Sequence, residues 1–376
     1  QGYLGPVLRL PQGNVRAFVT NNLGMDISSH WHGLLLPGEV DGGPHQAIKP
    51  GSVWQPDLGI SQPATTAWYH THIHGRTATG VYAGLAGGII VTDGRDDQRG
   101  LPSTYGEDDF FLVVQDKQFL ANGQLVYDGS MMSQRHGFTA DTVVVNGQVG
   151  AVADVPAGIV RLRLLNGSNA RIYRLSFSDG RPMQLIATDG GYLPKPMTMD
   201  RLRLSPGERA EVLVDFSDGR AVALSSLRDP NAGMGGMMGR FQNMGADLLG
   251  GEFEVMTFAS NGKKGRITKF PEKLDGSLPD LSTQEISQTR YISLDMGMGG
   301  GMMGGGMMGG AMAINGRPFD PSRIDLEVER ETTEKWILTS DMLAHPFHIH
   351  GVSFQIVREN GGPPSPENIG WKDTVL

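Results

Sequence analysis

Histidine falls in three short clusters near the two ends of the chain: His30-Trp-His32, His70-Thr-His72-Ile-His74 and His345-Pro-Phe-His348-Ile-His350. A β-strand alternates its side chains between faces and rises about 3.3 Å per residue, so a His-x-His pair sets two imidazoles on one face roughly 6.6 Å apart. Two neighbouring metal ions can share such a pair, and a fold that uses all three clusters must bring the first fifth of the chain onto the last third. His345 stands an odd number of residues before His348 and directly before a proline, which cannot donate to a sheet ladder. It is expected to point elsewhere and to serve a different metal.

A lone histidine is ordinarily a surface or satisfied core residue, and His45 and His136 are read that way. Three pairs, each beside a glycine or an aromatic and together holding seven of the ten histidines once His345 is added, do not fit coincidence. Imidazole suits zinc, copper, iron and nickel, so the ligand type alone leaves the metal open.

The rest of the chain reads as all-β. Val15-Arg-Ala-Phe-Val19, Gly88-Ile-Ile-Val91, Phe110-Phe-Leu-Val-Val114, Thr142-Val-Val-Val145 and Val160-Arg-Leu-Arg-Leu-Leu165 are short β-rich runs punctuated by Gly, Pro, Asn and Asp. That spacing fits sandwiches rather than βαβ units. The polar stretches Asp93 to Asp109 and Ser260 to Gln288 suggest boundaries, giving regions 1–100, 101–265 and 285–376. No stretch is apolar enough to span a bilayer, and a net charge of -8 argues against nucleic acid and suits attraction of cations. The absence of cysteine excludes disulfides and is neutral about compartment.

The residues around the ligands narrow the metal. His30-Trp-His-Gly33, Pro37-Gly-Glu-Val-Asp41-Gly-Gly-Pro44, Trp68-Tyr-His-Thr-His72, Gly84-Leu-Ala-Gly-Gly88 and His345-Pro-Phe-His-Ile-His-Gly351 occur in the order found in the multicopper oxidases. Gln115-Asp-Lys117, Leu165-Asn-Gly-Ser-Asn-Ala-Arg171 and Asp189-Gly-Gly191 extend the likeness across the middle. The chain resembles that family, and within it the bacterial copper-efflux branch, the cuprous oxidases, through the Pro-Gly-Glu-Val-Asp-Gly-Gly-Pro run and a methionine-rich insert before the last cluster.

The resemblance implies three cupredoxin-like Greek-key β-sandwich domains, the first and third incomplete. It also implies a cofactor set of four copper ions: one type 1, one type 2 and a binuclear type 3 pair. Carried over by position, His30 and His348 would hold the type 2 copper, His32, His70, His72 and His350 most of the type 3 pair, and His345 the type 1 copper. The cluster would lie between the first and third domains, with Trp31, Trp68 and Tyr69 burying it and His74 outside the ligand set. Asp41 is the candidate acid beside the cluster, where a carboxylate can deliver protons or orient a water, although Asp-Gly-Gly is also ordinary turn chemistry. Asp341 is the second candidate catalytic acid, in the stretch that resembles the meeting point of cuprous substrate and type 1 copper.

Methionine forms a further signal. Met234-Gly-Gly-Met-Met238 with Met244, and Met296-Gly-Met298 continuing through Met302, Met303, Met307, Met308 and Met312, lie in runs made mostly of glycine. Glycine alone would suffice for a flexible loop. Thioethers select Cu(I), so Met296, Met298, Met302, Met303 and Met342 are read as possible Cu(I) substrate ligands.

A blue copper site needs a thiolate, and the family continues into a His-Cys-His strand, whereas this chain stops at Trp371-Lys-Asp-Thr-Val-Leu376 with no cysteine. The chain is therefore read as a fragment whose Cys-containing C-terminal segment is a further partner. The function expected from the resemblance is one-electron oxidation of Cu(I), or of phenolic reductants, at a type 1 copper, coupled to reduction of O2 to water at a trinuclear cluster and serving copper tolerance. The expected location is the periplasm, or secretion. The alternatives are a laccase-like phenol oxidase and a non-catalytic copper-sequestering protein.

Overall fold

The computed structural model describes residues 3–130, 133, 137–228, 251–296, 312–340 and 344–376. Its regular structure is almost entirely strand, as the alternating β-branched runs and turn residues lead one to expect. In the first region β1 (Leu8–Pro11), β2 (Thr65–His70) and β3 (Ala86–Thr92) form a sheet with β3 in the middle, parallel to β1 and antiparallel to β2. Helix α1 (Thr77–Tyr82) lies in the connection between β2 and β3. Trp31, Leu58, Ile60, Ala67 and Ile89 form the core of this region.

In the middle region β4 (Asp109–Phe119), β5 (Ile159–Asn166), β6 (Met183–Thr188) and β7 (Arg209–Asp215) lie in the order β4-β5-β7-β6 within one eight-stranded sheet. A five-stranded sheet faces it. Val160, Leu162 and Leu164 of β5 and Ala210, Val212 and Val214 of β7 point into the space between, against Leu175, Phe177, Leu224 and Phe258. Burying each such large side chain contributes roughly 1.5–3 kcal/mol.

The period of two puts Arg161 and Arg163 of β5, and Arg209 and Glu211 of β7, on the opposite face of the same strands. These too are buried, because the first region covers that face. Arg163 Nη1 donates to Thr66 Oγ1 of β2 at 3.2 Å, and Thr66 Oγ1 donates to Glu211 Oε1 at 2.6 Å. Beside them Leu165 packs with Trp68, Ile90 and Phe111. Charges can be buried here because each has a partner: Asp109 accepts two bonds from Arg163, at 2.7 and 2.9 Å, and Glu211 pairs with Arg161.

In the last region β8 (Gln288–Met296) runs parallel to β9 (Glu334–Ser340). A short antiparallel pair, β10 (Phe347–His348) with β11 (Thr374–Val375), carries the last histidine cluster. The architecture is cupredoxin-like. Among the described residues no helix is long and apolar enough to cross a membrane.

Candidate metal centre

Strand ends and turns, rather than long regular strands, aim the histidines. His30 and His70 form an isolated antiparallel bridge, with His30 N donating to His70 O at 2.8 Å and His70 N to His30 O at 3.1 Å. His70 is the last residue of β2, and His348 is the last of β10. His32 lies in a turn before Gly33, whose φ of 92° suits glycine. This departs from the fully extended spacing read off the sequence: ring centroids within the three pairs are 5.5, 5.8 and 4.9 Å apart, and no pair lies wholly within one regular strand.

Six imidazoles from the two ends of the chain converge. His30 stacks on His350 at 3.9 Å, and His32 stacks on His348 at 3.7 Å. His72 lies 5.0 Å from His350, and Trp68 covers His70 at 4.2 Å. Among the described residues three sets have ligand atoms within 4.8 Å of one another: His30, His348 and His350; His30, His32 and His70; and His32, His348 and Asp373. His345 is in none of these sets; it is exposed, and its Nδ1 donates to Pro346 O at 2.6 Å. His74 is also exposed, against Phe319 at 5.2 Å. Asp341, Met342, Met298, Met302 and Met303 lie outside the described residues, as do Met234 to Met244. The backbone of Met296 ends β8 opposite Met312.

The residues present fit a metal. His30 Nδ1 donates to Asp41 O at 3.0 Å, His70 Nδ1 to Thr71 O at 2.9 Å, and His348 Nδ1 to Asp373 O at 2.8 Å. These bonds place the ring proton on the outer nitrogen, the tautomer and orientation that a metal-binding histidine needs. The buried nitrogens His30 Nε2, His348 Nε2 and His72 Nδ1 have no hydrogen-bond partner. An unpaired buried acceptor costs about 1–3 kcal/mol unless something meets it. Burial, aided by neighbouring imidazoles, holds His30, His32 and His70 below the usual histidine range and His72 at about 4, so the lone pairs are free at neutral pH.

Asp41 is buried beside the cluster. Its Oδ2 lies 3.1 Å from His30 Nδ1 and accepts from His350 Nδ1 at 2.7 Å, tying an imidazole from each end of the chain. Burial alone would raise this carboxyl; the bonds from His30 and His350 outweigh it and hold it below the ordinary aspartate range. Gly42 makes the approach possible, with a φ of 80° and a position where a Cβ would fall 1.8 Å from Ser29 O.

A second buried group was not singled out from the sequence. Asp373 Oδ1 lies 3.4 Å from His32 Nε2 and 3.6 Å from His348 Nδ1, and Thr374 Oγ1 lies 3.3 and 3.2 Å from the same two atoms. Behind them Lys372 Nζ donates to Glu208 Oε1 at 2.8 Å and pairs with Asp189 Oδ2 at 3.0 Å. The available signal was a set of charges inside apolar runs, as in Glu208-Arg-Ala-Glu-Val-Leu-Val214.

Three family profiles described as multicopper oxidase match residues 1–96, 105–223 and 294–376. Cell division protein FtsP of Xenorhabdus nematophila is 39% identical, the match covering 99% of this chain and 74% of that protein. FtsP of Yersinia pestis is 37% identical with coverage of 99% and 74%. Among solved structures, a bacterial laccase-like multi-copper oxidase, CueO from Ochrobactrum sp., superposes with a TM-score of 0.87 at 40% identity, covering 99% of this chain and 81% of that one. The expected activity, oxidation of Cu(I) or phenols coupled to O2 reduction, is corrected by the FtsP relatives. Along nearly the whole chain the match is to proteins named for cell division, a name that states no oxidation. A histidine cluster accounts for binding and does not by itself establish turnover. Copper binding without turnover fits better.

Proposed function

The chain belongs to the multicopper oxidase family, and from that premise we propose that it is a copper-holding protein of the bacterial envelope that serves cell division by binding metal, with no substrate turned over. The observation that carries this reading is the match of 99% of the chain to relatives named for cell division. The copper half rests on the inward, unpartnered Nε2 atoms of His30 and His348, with the unpartnered Nδ1 of His72 beside them.

His30 and His348 hold one copper, and His32, His70, His72 and His350 hold a pair; His345 belongs to a separate site. Copper bound there supplies coordinate bonds that tie the two ends of the chain together. Asp41 orients His30 and His350 through their outer nitrogens. The neutral imidazoles of His30, His32, His70 and His72 accept the metal without first losing protons near neutral pH. The thioethers of Met296, Met298, Met302, Met303 and Met342 collect Cu(I), for which soft sulfur is selective.

The test is complementation in the host. Deleting the gene is expected to delay division and lengthen cells. The parent gene restores normal length, and a variant with His30→Ala and His348→Ala does not. Normal length in deleted cells would refute the division role, and full rescue by the histidine variant would refute the role of copper.

A further inference from the structure

We propose that Arg209 is the positioning residue through which the middle region, which supplies none of the candidate histidine ligands, holds the histidine centre in metal-binding geometry. This rests on the copper-holding reading above. Arg209 is fully buried on the outward face of β7. Its five N–H donors meet five acceptors: Nε reaches Thr66 O at 3.1 Å, Nη1 reaches Gly207 O at 3.0 Å and Asp373 Oδ1 at 2.7 Å, and Nη2 reaches Asp189 O at 3.1 Å and Asp373 Oδ2 at 2.6 Å. A guanidinium with every donor used is fixed in place, and its planar fork matches a carboxylate in two parallel bonds.

Two of these partners, Thr66 and Asp373, lead to histidines. Thr66 lies in β2, which ends at His70. Asp373 takes the Nδ1 proton of His348 on its backbone carbonyl and faces His32 Nε2 with its carboxylate. Arg209 also backs the turn that carries His32, since a Cβ on Gly33 would fall 2.5 Å from Arg209 Nη2. Asp373 is close enough to His32 and His348 to join them as a ligand. Both of its oxygens, however, are taken by Arg209, so it stands behind the imidazoles as an acceptor. The clasp therefore decides that His32 and His348 turn toward the centre and that Asp373 does not. Lysine cannot replace it, because an ammonium is a point donor without the fork.

The experiment titrates Cu(II) against a competing chelator in the full-length parent, Arg209→Gln and Arg209→Lys. Thermal melting of the copper-free proteins and the paramagnetic resonance spectrum of bound Cu(II) are recorded alongside. Loss of an outer partner of a metal ligand typically weakens binding 10–100-fold, so both variants should bind copper at least about tenfold more weakly, with altered hyperfine splitting. Arg209→Lys keeps the charge and should melt closer to the parent while still failing to recover affinity or spectrum. If Arg209→Gln does not fold, Arg209→Lys decides. Parent-like affinity and spectrum in a folded Arg209→Lys would overturn the assignment while leaving the copper-holding reading intact. A parent that binds no copper would overturn both.

Discussion

Replacing Glu211 with glutamine should loosen the seam between the first and middle regions. Glu211 is 1% exposed. Its Oε2 accepts from Arg161 Nε at 2.8 Å and also from Arg161 Nη2, and its Oε1 accepts from Thr66 Oγ1 at 2.6 Å and Arg163 Nη1 at 3.1 Å. The amide of glutamine supplies one acceptor and places a donor against a guanidinium. Asp96, at 3.2 Å, is then left as the acid on Arg161. Removing one partner of a buried ion pair costs about 3–5 kcal/mol. At about 2–4 °C per kcal/mol for a unit of 150–250 residues, melting should fall by about 6–20 °C. Burial would raise the Glu211 carboxyl, but Arg161 and Arg163 outweigh it and lower it. Its stabilisation is therefore present above the unfolded glutamate pKa of about 4.3 and is lost as pH falls through the lower folded value. Calorimetric melting of parent and Glu211→Gln should differ fully at neutral pH, and the gap should close only in acid below that range. Melting within a degree of the parent at pH 7 would refute the reasoning.

Asp41→Asn keeps the side-chain shape but cannot accept from both His30 and His350 as a carboxylate does, so copper affinity should drop about 10–100-fold; a chelator titration that matches the parent would contradict the orienting role. Gly42→Ala, where the new Cβ meets Ser29 O at 1.8 Å, should shift the His30 segment, and a soluble variant with parent copper content and melting would show that the approach is not required. Leu162→Ala empties a fully buried position of β5 and should cost about 2–5 kcal/mol in chemical denaturation, with a loss under 1 kcal/mol inconsistent with the packed core.

The clustering of the six imidazoles was legible because they come as His-x-His pairs, a local pattern that survives whatever the chain does between them. The strand-rich fold was legible for the same reason: β-branched runs and turn residues carry their signal within a few positions. The charged layer behind the imidazoles was not. Arg161, Arg163, Arg209 and Glu211 alternate with apolar residues, the ordinary signature of a strand with one face in water. Only the covering first region turns that polar face into a buried one, and no local period records that contact. Asp373 gains its role from Arg209, far earlier in the chain, and from two histidines reached through β10 and β11. The function reading went further than the donor set allowed, since imidazole spacing specifies what can be held and says nothing about whether electrons pass.

The most direct test of binding without turnover measures copper content and O2 uptake on one sample of the full-length protein. After copper loading and dialysis, the parent should retain copper that is lost from His72→Ala, and an oxygen electrode should record no protein-dependent uptake on addition of Cu(I) or a phenol. Sustained O2 consumption that scales with the parent protein and disappears in His72→Ala would contradict the account.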